Sequence, residues 1–94
     1  MTRNTIFKKV VTRLLASGAK KIVVFGSYAR NEQTPKSDLD LIVRFSKKIS
    51  LFDMVRIQQE LADELRIPVD LLTEQEVSPY IKKYVRQEQM VLYP

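Results

Sequence analysis

The chain contains no cysteine and no histidine. Without cysteine it can form neither disulfides nor thiolate metal sites, which fits a reducing cytoplasm. Without histidine, imidazole is excluded as a general base and as a zinc ligand. Only oxygen ligands remain for a metal, and these favour Mg²⁺, Mn²⁺ or Ca²⁺. No apolar run approaches the length of a membrane span, and the N-terminal stretch MTRNTIFKK lacks the apolar core of a signal peptide. The expected location is the cytoplasm. Internal repeats and low-complexity segments are also missing.

What is present fits one small folded domain over residues 1–94. The apolar fraction is 45%, normal for a globular chain and too high for a disordered one. A chain of this length buries only roughly 60–65% of its unfolded surface, so a partner surface can add stability. The net charge is +5. Basic residues recur as pairs: Lys8-Lys9, Lys20-Lys21, Lys47-Lys48 and Lys82-Lys83. Such pairs read first as solvated faces and helix ends, and second as attraction to a polyanion. No aromatics are interleaved with them as a stacking platform requires, so direct nucleic-acid binding is not expected.

Apolar positions at Ile6, Val10, Val11, Leu14 and Leu15 give helical spacing over residues 3–17, with Gly18 as the stop. Ile22 to Phe25 is a buried-strand pattern ending at Gly26. Ser27 to about Glu32 can open a short helix, and Thr34 to Ser37 is a loop. A second strand covers Asp38 to Arg44. Ser50-Leu51-Phe52-Asp53 has the form of a capping box with Asp in place of Glu. The helix it opens has Leu51, Met54, Val55, Leu61, Ala62 and Leu65 as its expected apolar face. Val69 to Leu72 is a third strand, in a run where Asp70 is expected to be buried. Ser78-Pro79 predicts a last helix with Tyr80, Ile81, Tyr84 and Val85, and Val91-Leu92-Tyr93 reads as a short apolar tail. The expected fold is α/β, of the α+β type: a small mixed β-sheet flanked by helices, mainly on one face.

Two stretches carry chemistry. In the first, the strand ending Val23-Val24-Phe25 runs into Gly26-Ser27-Tyr28-Ala29-Arg30. Glycine lets a phosphate approach the backbone, and a helix start offers free N–H groups and a hydroxyl. Arg30, three residues beyond Ser27, can reach a phosphate oxygen; taken alone, Gly-Ser is an ordinary tight turn and Arg30 an ordinary surface residue. The P-loop pattern is absent.

The second stretch is Asp38-Leu39-Asp40-Leu41-Ile42-Val43. Acids at i and i+2 share one face of a strand. Two close carboxylates repel unless a cation intervenes. An open polar strand face is the plainer reading, but Ile42 continues the acid face with an apolar residue. Asp70 can join them if the third strand pairs beside the second, as a further metal ligand or as the acceptor of a hydroxyl proton. Otherwise it is a strand-edge acid. Ser37, before the first acid, can belong to the site or simply end the loop. Asp53 and Asp63 read as helix-surface or capping acids.

Gly26-Ser27-Tyr28-Ala29-Arg30 together with Ser37-Asp38-Leu39-Asp40-Leu41-Ile42-Val43 resembles the signature of the DNA polymerase β-type nucleotidyltransferase superfamily. The length and the ending Val91-Leu92-Tyr93 are similar to its minimal members. The resemblance spans essentially the whole chain. It implies a nucleotidyltransferase fold with ATP as substrate and Mg²⁺ (or Mn²⁺) as cofactor. It puts phosphate binding on Gly26 and Ser27, and metal binding and catalysis on Asp38, Asp40 and, less directly, Asp70. Asn31 departs from the family pattern, which commonly has glycine there, though Asn tolerates a left-handed backbone.

Minimal members are typically paired with a helical HEPN protein. The resemblance therefore implies transfer of AMP to a hydroxyl, such as a tyrosine, of a HEPN-type toxin by its antitoxin, within a homodimer or hetero-oligomer. Two other readings stay open: an antitoxin that acts by binding alone, with a vestigial nucleotide site, and nucleotide transfer to RNA or a small molecule.

Overall fold

Among the described residues, a four-stranded sheet carries two helices on one of its faces. The computed structural model describes residues 1–74 and 89–94. Helix α1 spans Arg3–Ala16 and presents Ile6, Phe7, Val10 and Leu14 to the core. Thr2 starts it, accepting a hydrogen bond from the Thr5 backbone N–H at 3.2 Å. Gly18, at φ 92, follows its end. Strands β1 (Ala19–Phe25) and β2 (Leu39–Phe45) pair antiparallel. Between them lies a single 3₁₀ turn, Gly26–Tyr28.

Helix α2 spans Leu51–Leu65. The Ser50 hydroxyl caps it, accepting from the Asp53 N–H at 3.1 Å and donating to the Asp53 carboxylate at 3.0 Å. Strand β3 (Val69–Thr73) then pairs parallel to β2, and β4 (Met90–Tyr93) pairs antiparallel to β1. The order across the sheet is β3-β2-β1-β4.

Period-two alternation sorts the strand side chains. Ile22, Val24, Leu39, Leu41, Val43, Val69 and Leu71 join the buried faces of α1 and α2 in one core. Each such side chain contributes about 1.5–3 kcal/mol by leaving water. The other face carries a small apolar layer of Val23 and Ile42 with Phe25 and Leu72 against it. No helix among the described residues is long and apolar enough to cross a membrane.

Four expectations need correction. The tail at Val91–Tyr93 is part of strand β4; its partner is distant in sequence, so no local pattern announces it. The short helix expected to reach Glu32 is only the 3₁₀ turn, and Asn31, at φ 58, sits in the left-handed region beyond it. That is the conformation expected of Asn31. In α2, Leu51 and Val55 are 78% and 52% exposed, while Ile57, absent from the expected apolar face, is buried. The buried stripe runs Met54, Ile57, Leu61, Leu65, the spacing that faces both the sheet and α1. Asp70 is exposed, because β3 is an edge strand and Asp70 points to the face opposite the two helices. The helix expected from Ser78 to Val85 lies outside the described residues.

Candidate active site

The site forms where β1 ends and β2 begins. Antiparallel pairing sets Phe25 opposite Asp40, so Gly26 follows immediately beside the acid. The approach is close: a Cβ added to Gly26 would lie 2.8 Å from Asp40 Oδ2. Gly26 adopts φ 73, a conformation glycine takes without steric cost. Its carbonyl accepts from the N–H groups of Ala29 and Arg30 at 3.1 and 3.2 Å, closing the turn. The Tyr28 side chain is buried in the core, where desolvation pushes its phenol above the ordinary value.

The third acid arrives through the parallel pairing of β2 and β3, which aligns Asp70 with Asp40. Neighbouring strands lie about 4.8 Å apart, so the two carboxylates share one face at adjacent positions. Gln58 of α2 accepts from the Leu71 N–H at 2.9 Å and ties the edge strand to the helix next to Asp70. Asp38 is exposed and stands just before β2. Burial, then the charge of Asp70, then that of Asp38 push the Asp40 carboxyl up to about 6.

Ser37 closes the loop before the acids. Its Oγ accepts from the Thr34 N–H at 2.8 Å, and its own N–H donates to the Thr34 carbonyl at 3.0 Å. Arg30 is exposed, and its Nε donates to Glu32 at 3.1 Å. The structure thus brings Gly26, which leads into Ser27 in the turn, beside Asp40, with Asp38 and Asp70 as the acidic neighbours of Asp40. It engages Ser37 within its loop and Arg30 with Glu32.

One residue went unnoticed in the sequence. Arg3 at the start of α1 donates through Nε to the Tyr28 carbonyl at 2.8 Å and through Nη2 to the Ala29 carbonyl at 3.2 Å. The available signal was a cation in a helix first turn that contains no acid.

The donors fit a hard divalent ion in kind and in charge. All are oxygens, and Asp40 sits under the repulsion of two acids, which a cation would relieve. As placed, no group of three or more acidic side chains among the described residues closes around a common point able to hold a metal. A cleft of about 840 Å³ lies at the opposite end of β2, lined by Arg44, Lys47, Lys48 and Glu74 among others. It has neither a glycine turn nor an acid pair, so its size does not make it the site.

The Asp40 shift has a measurable consequence. Its folded value lies above the ordinary 3.8, so the fold favours the protonated form. The resulting stability is fully present below about pH 4 and is lost as pH rises through about 6. In EDTA, thermal melts at pH 4.5 and 7.5 should show the parent losing ~2–5 °C more than Asp40→Asn over that interval. Equal losses in the two proteins would refute the shift.

A strand, a glycine turn, and a second strand whose acid lies beside that glycine form an arrangement suited to holding a phosphate next to a divalent ion. The chain belongs to the nucleotidyltransferase domain family, whose model matches residues 4–91. It is similar to MJ0435 of Methanocaldococcus jannaschii, a candidate protein adenylyltransferase. Identity is 42% over 88 residues, covering 94% of this chain and 95% of the relative. It is also similar to the protein adenylyltransferase MntA of Thermococcus cleftensis, at 35% identity over 71 residues, covering 76% of this chain and 72% of the relative. A crystal structure of a toxin–antitoxin complex with AMP-PNP contains a chain of the same fold. The TM-score is 0.84 at 25% identity, covering 93% of this chain and 72% of that one.

Proposed function

We propose that the protein transfers AMP from ATP to a hydroxyl, such as a tyrosine, of a HEPN-type toxin and acts as that toxin's antitoxin. The observation that carries this reading is the contact between the two half-motifs: Asp40 rests against Gly26 while Asp70 stands in register beside it. Relatives named as protein adenylyltransferases, and a toxin–antitoxin complex holding an ATP analogue, support the acceptor class.

In this reading Gly26 and Ser27 hold the β- and γ-phosphates, with Arg30 adding positive charge beside the turn. Ser37 keeps the loop that leads into the acids. Asp38 and Asp40, with Asp70, would hold Mg²⁺ or Mn²⁺. Such an ion, when bound, neutralises triphosphate charge as the pyrophosphate leaves. The exposed Asp70 is accessible to a protein acceptor and takes the proton of the attacking hydroxyl. The acceptor oxygen bonds to the α-phosphorus, the bond from that phosphorus to the bridging oxygen breaks, and pyrophosphate departs. The chain contributes position and charge more than covalent chemistry.

The test is α-labelled ATP with Mg²⁺, this protein, a HEPN-type toxin and RNA. Label should move to the HEPN protein with release of pyrophosphate. Neutralisation of the toxin without labelling would favour the binding-only antitoxin, and label on RNA would favour the third reading.

A further inference from the structure

We propose that Arg3 is a positioning residue for the nucleotide: by holding two carbonyls of the Gly26–Ala29 turn, it sets how tightly ATP binds. The inference rests on the reading of Gly26 and Ser27 as the phosphate cradle.

Arg3 occupies the first helical position of α1. A cation there meets the positive end of the helix dipole, at a cost of a few tenths of a kcal/mol. No acid in that turn offsets it. A residue that breaks a local rule needs a compensating contact elsewhere. Here Nε, Nη2 and one face of the guanidinium are engaged. It donates to the Tyr28 and Ala29 carbonyls at 2.8 and 3.2 Å, approaches Met90 Sδ of β4 at 3.2 Å, and lies 4.8 Å from the centre of the Phe7 ring.

The geometry explains why such an anchor matters. In a helical turn the carbonyls and N–H groups point in opposite directions. The N–H groups of Ala29 and Arg30 are spent on the Gly26 carbonyl. Arg3 takes carbonyls at the far end of the same turn, opposite the end that carries Gly26 and Ser27. Two bonds from one planar fork fix that peptide pair in orientation as well as in place. Beneath it the buried Tyr28 side chain fixes the turn to the core. The turn is otherwise a single short 3₁₀ segment, closed by the two bonds to the Gly26 carbonyl. A loosened cradle weakens binding of the triphosphate but leaves the acids on β2 and β3 where they are.

The experiment uses the full chain with Arg3→Met and Arg3→Lys. ATP affinity is measured by calorimetry in Mg²⁺, alongside steady-state transfer to the HEPN protein. Arg3→Met should weaken ATP binding and raise the KM for ATP by about 10-fold, with kcat within about twofold and the KM for the acceptor unchanged. Arg3→Lys keeps the charge and a donor and should recover part of the ATP affinity. It carries the comparison should Arg3→Met not fold. Unchanged ATP affinity in both variants overturns the inference, as does a loss of kcat without any change in KM for ATP. A parent chain that binds no ATP would instead overturn the reading of the cradle itself.

Discussion

The Asp38→Asn/Asp40→Asn double variant is expected to lose adenylyl transfer by at least ~10²-fold. Free of divalent ions, it is also expected to melt higher than the parent at pH 7. The two effects share one cause. Asp40 is half-buried, aligned with Asp70 on the next strand and two residues from Asp38: burial first, then the charges of Asp70 and Asp38, push its carboxyl up. Like charges directly opposite on adjacent strands destabilise a sheet. Asparagine keeps the size and an acceptor oxygen but removes the repulsion.

Stability and activity should therefore move in opposite directions, as at sites that keep an unfavourable arrangement for function. Mg²⁺ should raise the melting temperature of the parent and leave that of the variant unchanged, since only the parent gains a ligand on folding. Acids kept for structure alone would give a variant less stable than the parent and equally active. Calorimetry in EDTA and in Mg²⁺, read beside the labelled transfer assay, distinguishes the two cases.

The acids and the turn were legible in the sequence because their signals are local. Period two puts Asp38 and Asp40 on one strand face, and the apolar run to Phe25 stops at Gly26. The reversal that brings those two segments together follows from strands joined by a short link. Asp70 was half legible. Its apolar neighbours marked a strand, but burial was inferred from those neighbours, and burial depends on which face the helices cover. Both described helices cover the other one. Leu51 and Val55 of α2 were misjudged for a related reason: an apolar residue near a helix start fits the periodic pattern whether or not anything packs on it.

Arg3 and β4 were not legible, since each gains its meaning from a distant partner. Arg3 bonds residues 25 and 26 positions away, and β4 pairs with a strand near the other end of the chain. Hydrophobic periodicity carries no information about such contacts.

Gly26→Ala is expected to reduce transfer by at least ~10²-fold while the chain stays folded. Two strains act together. Alanine at φ 73 occupies the left-handed region, at about 1–2 kcal/mol. Its methyl would also lie 2.8 Å from Asp40 Oδ2, closer than such atoms approach. The carboxylate is the end of a side chain and can rotate away, so relief comes by displacing the acid rather than by opening the sheet. A shift of about 1 Å at a reacting centre is enough for a loss of that size. Gly18 supplies the control. It is also left-handed, at φ 92, but its added methyl would meet only Ser46 Oγ at 3.4 Å, an ordinary contact. Gly18→Ala should therefore lose comparable stability in a thermal melt and keep its transfer rate within about twofold. Equal losses of activity in the two variants would mean that backbone strain alone is responsible. A large loss confined to Gly26→Ala would mean that the contact between the turn and Asp40 is what the chemistry needs.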